Sequence, residues 1–109
     1  MTVRQITVSR LRQWLADAAR PAPVLLDVLE PWEFAICAIP GSLSLPLGQL
    51  AVCYETLARA AETVVICHHG LRSLQAALFL EHVGLPRVFN LQGGIDAWAR
   101  MIDRSMAVY

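Results

Sequence analysis

The chain has 109 residues, 56% hydrophobic and 17% charged, and its nine basic residues balance nine acidic ones. That length suits one domain, 1–109, with a single core, and the composition excludes disorder. Apolar stretches are broken well before ~18 residues and no basic face collects, so neither membrane nor nucleic acid is an expected partner.

Arg4, Arg10, Arg12 and Arg20 superficially suggest a transit peptide, but Asp17 and the Leu11, Trp14, Leu15, Ala18 spacing fit a first helix better. Thr7 can cap that helix, which should run to about Ala19 before Pro21 and Pro23 end it. Val24 to Val28 is a short continuous apolar run, as for a strand buried on both faces. Pro31 suits the first turn of a short helix reaching about Cys37, and Pro40-Gly41 turns the chain into Ser42 to Leu45. Leu47 to about Ala60 reads as helix and Thr63 to Cys67 as strand. Arg72 to Val83 is helix, stopped by Gly84-Leu85-Pro86. Arg87 to Leu91 is strand, Gly93-Gly94 a turn, and Ile95 to Ile102 a last helix. Short apolar strands alternating with helices imply an α/β fold with a parallel sheet covered on both faces. Ligands in such sheets bind beyond the carboxyl ends of the strands.

Cys67 stands at such an end. Its odd count with Cys37 and Cys53, without paired spacing, excludes a disulfide framework or zinc ribbon. Free thiols in a reducing compartment are expected, and the cytoplasm is the expected location. Cys37 and Cys53 fall in apolar, helix-like contexts that suit buried filler. Around Cys67 the chain reads VVICHHGLRS, with a glycine, an arginine and a helix start close behind. Backbone N–H groups between a strand and a helix can converge on one point, and Gly70 permits a tight turn. Arg72 and the helix dipole add positive charge, so the loop should stabilise a nucleophilic thiolate and cradle an anion. The plainer alternative is a buried cysteine beside a helix that happens to begin Arg-Ser.

All nine basic residues are arginine, which excludes a Walker-type phosphate loop and Schiff-base chemistry, since both need lysine. His68 and His69 could suggest metal, but adjacent residues seldom close a tetrahedral site alone and no second ligand pair is in view. No metal and no cofactor are expected. The histidines read as polar lining, one of which can bind or protonate a substrate. His82 reads as a solvated helix residue, Trp14 and Trp98 as core, and Trp32 as a rim residue. Gly93-Gly94 is too short for a dinucleotide site.

LLDVLEPWEFA, IPGSLSLPL, VVICHHGLRS and LQGGIDAWA, in this order and spacing, resemble a single-domain rhodanese over nearly the whole chain. The resemblance implies a rhodanese-like α/β fold, a five-stranded parallel sheet with helices on both faces. It implies a thiosulfate sulfurtransferase: the cysteine takes a sulfane sulfur from a small anionic donor such as thiosulfate and becomes a persulfide. A thiophilic acceptor, cyanide, a thiol or a sulfur-accepting protein, then removes it. Cys67 matches the sulfur-carrying cysteine. His68, His69, Gly70, Leu71, Arg72 and Ser73 match the loop whose amides bind persulfide and donor. Asp27 and Glu33 match acidic positions near that loop. One of them is expected to pair with Arg72, the alternative being a capping and a surface carboxylate. Leu29 replaces the arginine common after Asp-Val, and Cys37-Ala38 replaces Gly-His before Ile-Pro-Gly; both bear on packing and charge rather than on the cysteine loop. Two other functions share the fold. A non-catalytic partner-binding module usually lacks the cysteine. A dual-specificity phosphatase or arsenate reductase places one residue more between Cys and Arg than the four present here.

Overall fold

The computed structural model describes residues 3–57 and 61–109. In chain order the elements are β1 (Arg4–Ile6), α1 (Val8–Ala16), β2 (Val24–Asp27), α2 (Pro31–Ile36), β3 (Leu43–Ser44), α3 (Leu50–Cys53), β4 (Thr63–Ile66), α4 (Leu71–His82), β5 (Val88–Leu91) and α5 (Gly94–Met101). The strands form one sheet in the order β1-β5-β4-β2-β3. Every neighbouring pair is parallel, with Asp27 level with Ile66 and Gln5 level with Asn90.

The central strands are buried on both faces, which is why they read as unbroken apolar runs. Leu26, Val64, Val65 and Ile66 are wholly inaccessible. Burying each such side chain stabilises the fold by roughly 1.5–3 kcal/mol. Phe89 packs edge-on to Trp14 of α1, while Asn90 bonds Ser73 of α4. Successive strand residues point to opposite faces, so α1 and α4 cover opposite sides. From β2 the chain winds toward β3, and from β4 it winds the other way toward β5. The crevice between the carboxyl ends of β2 and β4 is therefore the switch point at which this architecture binds ligands.

Two expectations need correction, and one strand carries no signal in the sequence. β1 was not foreseen: it is three residues long at a sheet edge, and only Ile6 is buried, so no alternation marks it. The first helix stops at Ala16 rather than about Ala19. There Asp17 Oδ1 accepts from the Ala19 amide at 3.0 Å, a local turn that competes with another helical bond. The expected helix from Leu47 to about Ala60 is broken into a 3₁₀ turn (Leu47–Gln49), α3 and a second 3₁₀ turn (Tyr54–Thr56). Thr56 Oγ1 donates to the Cys53 carbonyl at 2.7 Å, diverting an acceptor the helix would need. Residues 58–60 of that expected helix lie outside the described residues.

Candidate active site

β4 carries Cys67 to the carboxyl edge of the sheet, where only 1% of the residue is exposed. The chain then turns through Gly70, at φ +105°, into α4. That left-handed conformation favours glycine and aims the Gly70 amide back at the sulfur, which it reaches at 3.1 Å. Of the loop amides the sequence expected to converge, Gly70's is the one that donates to Sγ among the described residues. On the other side Ser73 Oγ lies 3.3 Å from Sγ and accepts from the thiol.

Asn90 of β5 determines how that serine presents itself. Its Nδ2 donates to the Gly70 carbonyl at 3.1 Å and to Gln5 Oε1 at 3.0 Å, and its Oδ1 accepts from Ser73 Oγ. A backbone carbonyl only accepts, so the amide orientation is fixed by Gly70. Ser73's single proton is then engaged with Asn90, and its lone pairs face the sulfur. The hydroxyl must turn to donate when the sulfur is anionic. Asn90 had no signal in the sequence, because it lies 20 residues from Gly70.

Gly93-Gly94, read as a turn, does more than turn the chain. The start of α5 is pressed against the cysteine loop: the Ile95 amide donates to the Cys67 carbonyl at 2.7 Å and the Asp96 amide to the His68 carbonyl at 3.1 Å. A Cβ on Gly94 would lie 2.3 Å from Cys67 O and 2.5 Å from His68 O. The Gly-Gly pair before a helix is the only sequence signal for this contact.

Of the two acidic candidates, Glu33 pairs with Arg72. Arg72 Nη1 and Nη2 reach its two carboxylate oxygens at 2.7 and 3.0 Å, a bidentate clamp from α2 to α4 across the crevice. Glu33 is itself held by a capping box, its Oε1 accepting from the Glu30 amide at 3.1 Å. The Arg72 hydrogen bonds hold the Glu33 carboxyl below the usual range against the opposing effect of burial. Tyr109 adds a fourth bond to the Glu33 carboxylate at 3.3 Å and stacks on His68, with ring centroids 4.2 Å apart. Burial and then the Glu33 charge raise the Tyr109 phenol.

Asp27 does not contact Arg72 by any hydrogen bond. It is fully buried, its Oδ1 accepts from the Leu29 amide at 3.0 Å, and its Oδ2 has no hydrogen-bond partner among the described residues. Burial pushes its pKa up to about 6, with the Leu29 bond opposing and the Glu33 charge assisting. Leu29 is fully buried and brings no cation to that oxygen. Cys37 is buried, and its thiol is raised by burial and by the nearby Asp27 charge.

His68 and His69 line the rim, their Nε2 atoms 4.0 and 3.7 Å from the two carboxylate oxygens of Asp96. Leu71 is 77% exposed, so its side chain points outward and only its backbone belongs to the loop. Trp14 and Trp98 are core, His82 and Trp32 are exposed, and Cys53 packs at the core's edge. No helix among the described residues is long and apolar enough to cross a membrane.

Residues 7–101 match the family described as the rhodanese-like domain. The chain belongs to the rhodanese-like family. A protein named sulfurtransferase from Allochromatium vinosum is 38% identical over 98 residues, covering 90% of each chain. The adenylyltransferase and sulfurtransferase uba4 of Ogataea parapolymorpha is 33% identical over 94 residues, 84% of this chain and 24% of that longer one. Among solved structures, a rhodanese-related protein from Thermoplasma volcanium superposes with a TM-score of 0.80 at 33% identity, covering 89% of this chain and 91% of that one. The parallel five-stranded sheet of this rhodanese-like domain agrees with that neighbour.

Proposed function

We propose that this rhodanese-like domain is a sulfurtransferase that carries a sulfane sulfur as a persulfide on Cys67. The observation that supports it most is the Cys67 sulfur itself, enclosed between the Gly70 amide and the Ser73 hydroxyl at the switch point of the sheet. With thiosulfate as donor, Cys67 Sγ attacks the sulfane sulfur. A new S–S bond forms, the donor's S–S bond breaks, and sulfite leaves with the bonding pair. The Gly70 amide and a rotated Ser73 hydroxyl stabilise the negative sulfur. An acceptor then attacks the terminal sulfur and takes it, giving thiocyanate from cyanide or a persulfide from a thiol, and Cys67 is regenerated as thiolate. Arg72, fixed by Glu33 on α2, gives the anionic donor a cation at the rim. His68 and His69 line the approach, and no metal or cofactor enters the cycle.

The longer relative named adenylyltransferase and sulfurtransferase supports a sulfur-accepting protein as a further partner class. A reducing compartment, the cytoplasm, suits the free thiols. Retention of Cys67 with Gly70, Arg72 and Ser73 favours catalysis over a partner-binding module without chemistry. The spacing of four residues between Cys67 and Arg72 disfavours a phosphatase, whose phosphoryl group needs donors around three equatorial oxygens. A thiosulfate:cyanide assay run beside a phosphate-ester assay tests the proposal. Thiocyanate formation with negligible ester hydrolysis is expected; the reverse pattern refutes it, and silence in both leaves only the binding module.

A further inference from the structure

At the rim of the bowl the fold supplies what the sequence lacked, a third ligand to join the adjacent histidines. Asp96, 27 positions beyond His69, is brought there by α5. One ring nitrogen of His68, one of His69 and a carboxylate oxygen of Asp96 all lie within 4.8 Å of one another. The arrangement is preorganised, because the Asp96 amide donates to the His68 carbonyl and the Ile95 amide to the Cys67 carbonyl. His68 Nε2 is buried and has no hydrogen-bond partner among the described residues. Its 4.0 Å separation from Asp96 is too long for a hydrogen bond. Leaving such a nitrogen bare forfeits the hydrogen bond it makes in water, which a ligand would replace. Ligand atoms around a tetrahedral zinc ion lie roughly 3.4 Å apart, given bonds of about 2.0–2.2 Å. His68 Nε2 lies 4.0 Å from one Asp96 oxygen and His69 Nε2 3.7 Å from the other, so both imidazoles stand close to ligand spacing from the same carboxylate.

We propose that His68, His69 and Asp96 form a binding site for one borderline divalent transition ion of the zinc class, at the mouth of the Cys67 bowl and separate from its sulfur. Two imidazoles and one carboxylate suit such ions better than magnesium or calcium, which prefer oxygen alone. The open positions belong to water or an exogenous anion. One resident cation competes: Arg100 Nε holds both oxygens of Asp96 at 3.0 and 3.1 Å from one helical turn away. Arg100 is largely exposed and free to swing into water. Loading the site ties the cysteine loop to α5 through the metal and immobilises both rim imidazoles. Sulfur transfer itself needs no ion, so the site adds to the cycle above rather than entering it.

The test uses the full chain carrying Cys67→Ser, which removes the reactive thiol and makes the outcome independent of sulfur chemistry. Zinc chloride titrated into it by calorimetry should bind with one equivalent. Asp96→Asn in the same background should weaken that binding roughly tenfold or more, and His69→Ala likewise. Arg100→Ala, which removes the competing cation, should tighten it. Thermal melts with and without zinc should follow the same ranking, and metal-free melts check that each variant is folded. Absence of zinc binding in Cys67→Ser overturns the proposal, as does binding that Asp96→Asn leaves unchanged, since the remaining thiols or histidines would then hold the ion.

Discussion

Replacing Asp27 with asparagine should make the protein's stability less sensitive to a rise in pH from 5 to 8. The carboxyl is wholly inaccessible, one oxygen is unpartnered, and its pKa rises from 3.8 to about 6. A carboxyl raised in this way binds its proton more tightly when folded. Its stabilisation is complete below the unfolded value and is lost as pH rises through the folded one. The rise from 3.8 to about 6 corresponds to roughly 3 kcal/mol in all, of which about half is lost between pH 5 and pH 8. Asparagine keeps the acceptor for the Leu29 amide but never ionises. The variant minus wild-type stability should therefore move in the variant's favour by roughly 1 kcal/mol between pH 5 and pH 8. Glu33 is held below the usual range, so its opposite contribution is lost only at lower pH. The histidines are common to both proteins and cancel in the difference. Urea melts at pH 5, 6, 7 and 8 measure it directly. A difference that stays flat across that window refutes the reasoning and means that Asp27 ionises as easily folded as unfolded.

Gly94→Ala should lose about 2 kcal/mol or more in urea melts, because its φ of +62° and the nearby Cys67 carbonyl both oppose a Cβ. Sulfur transfer should fall with it, and an unperturbed variant would show that α5 does not fix the loop. Arg72→Ala and Glu33→Gln should both slow transfer from thiosulfate, Arg72→Ala more, since glutamine can still accept one of the two guanidinium bonds. The check is steady-state kinetics, with the donor KM rising. Insertion of one alanine between Gly70 and Arg72 should weaken sulfur transfer and widen the bowl toward phosphate or arsenate, read as phosphate-ester hydrolysis absent from the parent.

What the sequence disclosed follows from where its signals are local. The doubly buried strands announce themselves as apolar runs, and the VVICHHGLRS loop carries its glycine, arginine and helix start within a few residues. That proximity made the strand-end position of Cys67 legible. β1 was invisible because an edge strand with one buried residue has no pattern to read. Leu47 to Ala60 reads as one helix because apolar composition cannot show that Thr56 takes a helix carbonyl. Asn90, Asp96 and Tyr109 bear on the site only through tertiary contacts, which no spacing rule captures. The choice between Asp27 and Glu33 turned on which carboxylate faces α4, a matter of packing. Where the usual arginine would stand, Leu29 is a buried apolar side chain, and Asp27 Oδ2 has no hydrogen-bond partner among the described residues.

The most direct test of the Cys67 persulfide is mass analysis of the intact protein and its peptides after incubation with thiosulfate. One added sulfur is predicted, on the peptide containing Cys67, removed by cyanide with release of thiocyanate and absent from a folded Cys67→Ser variant. Sulfur found on Cys37 or Cys53 while Cys67 stays unmodified would contradict the account.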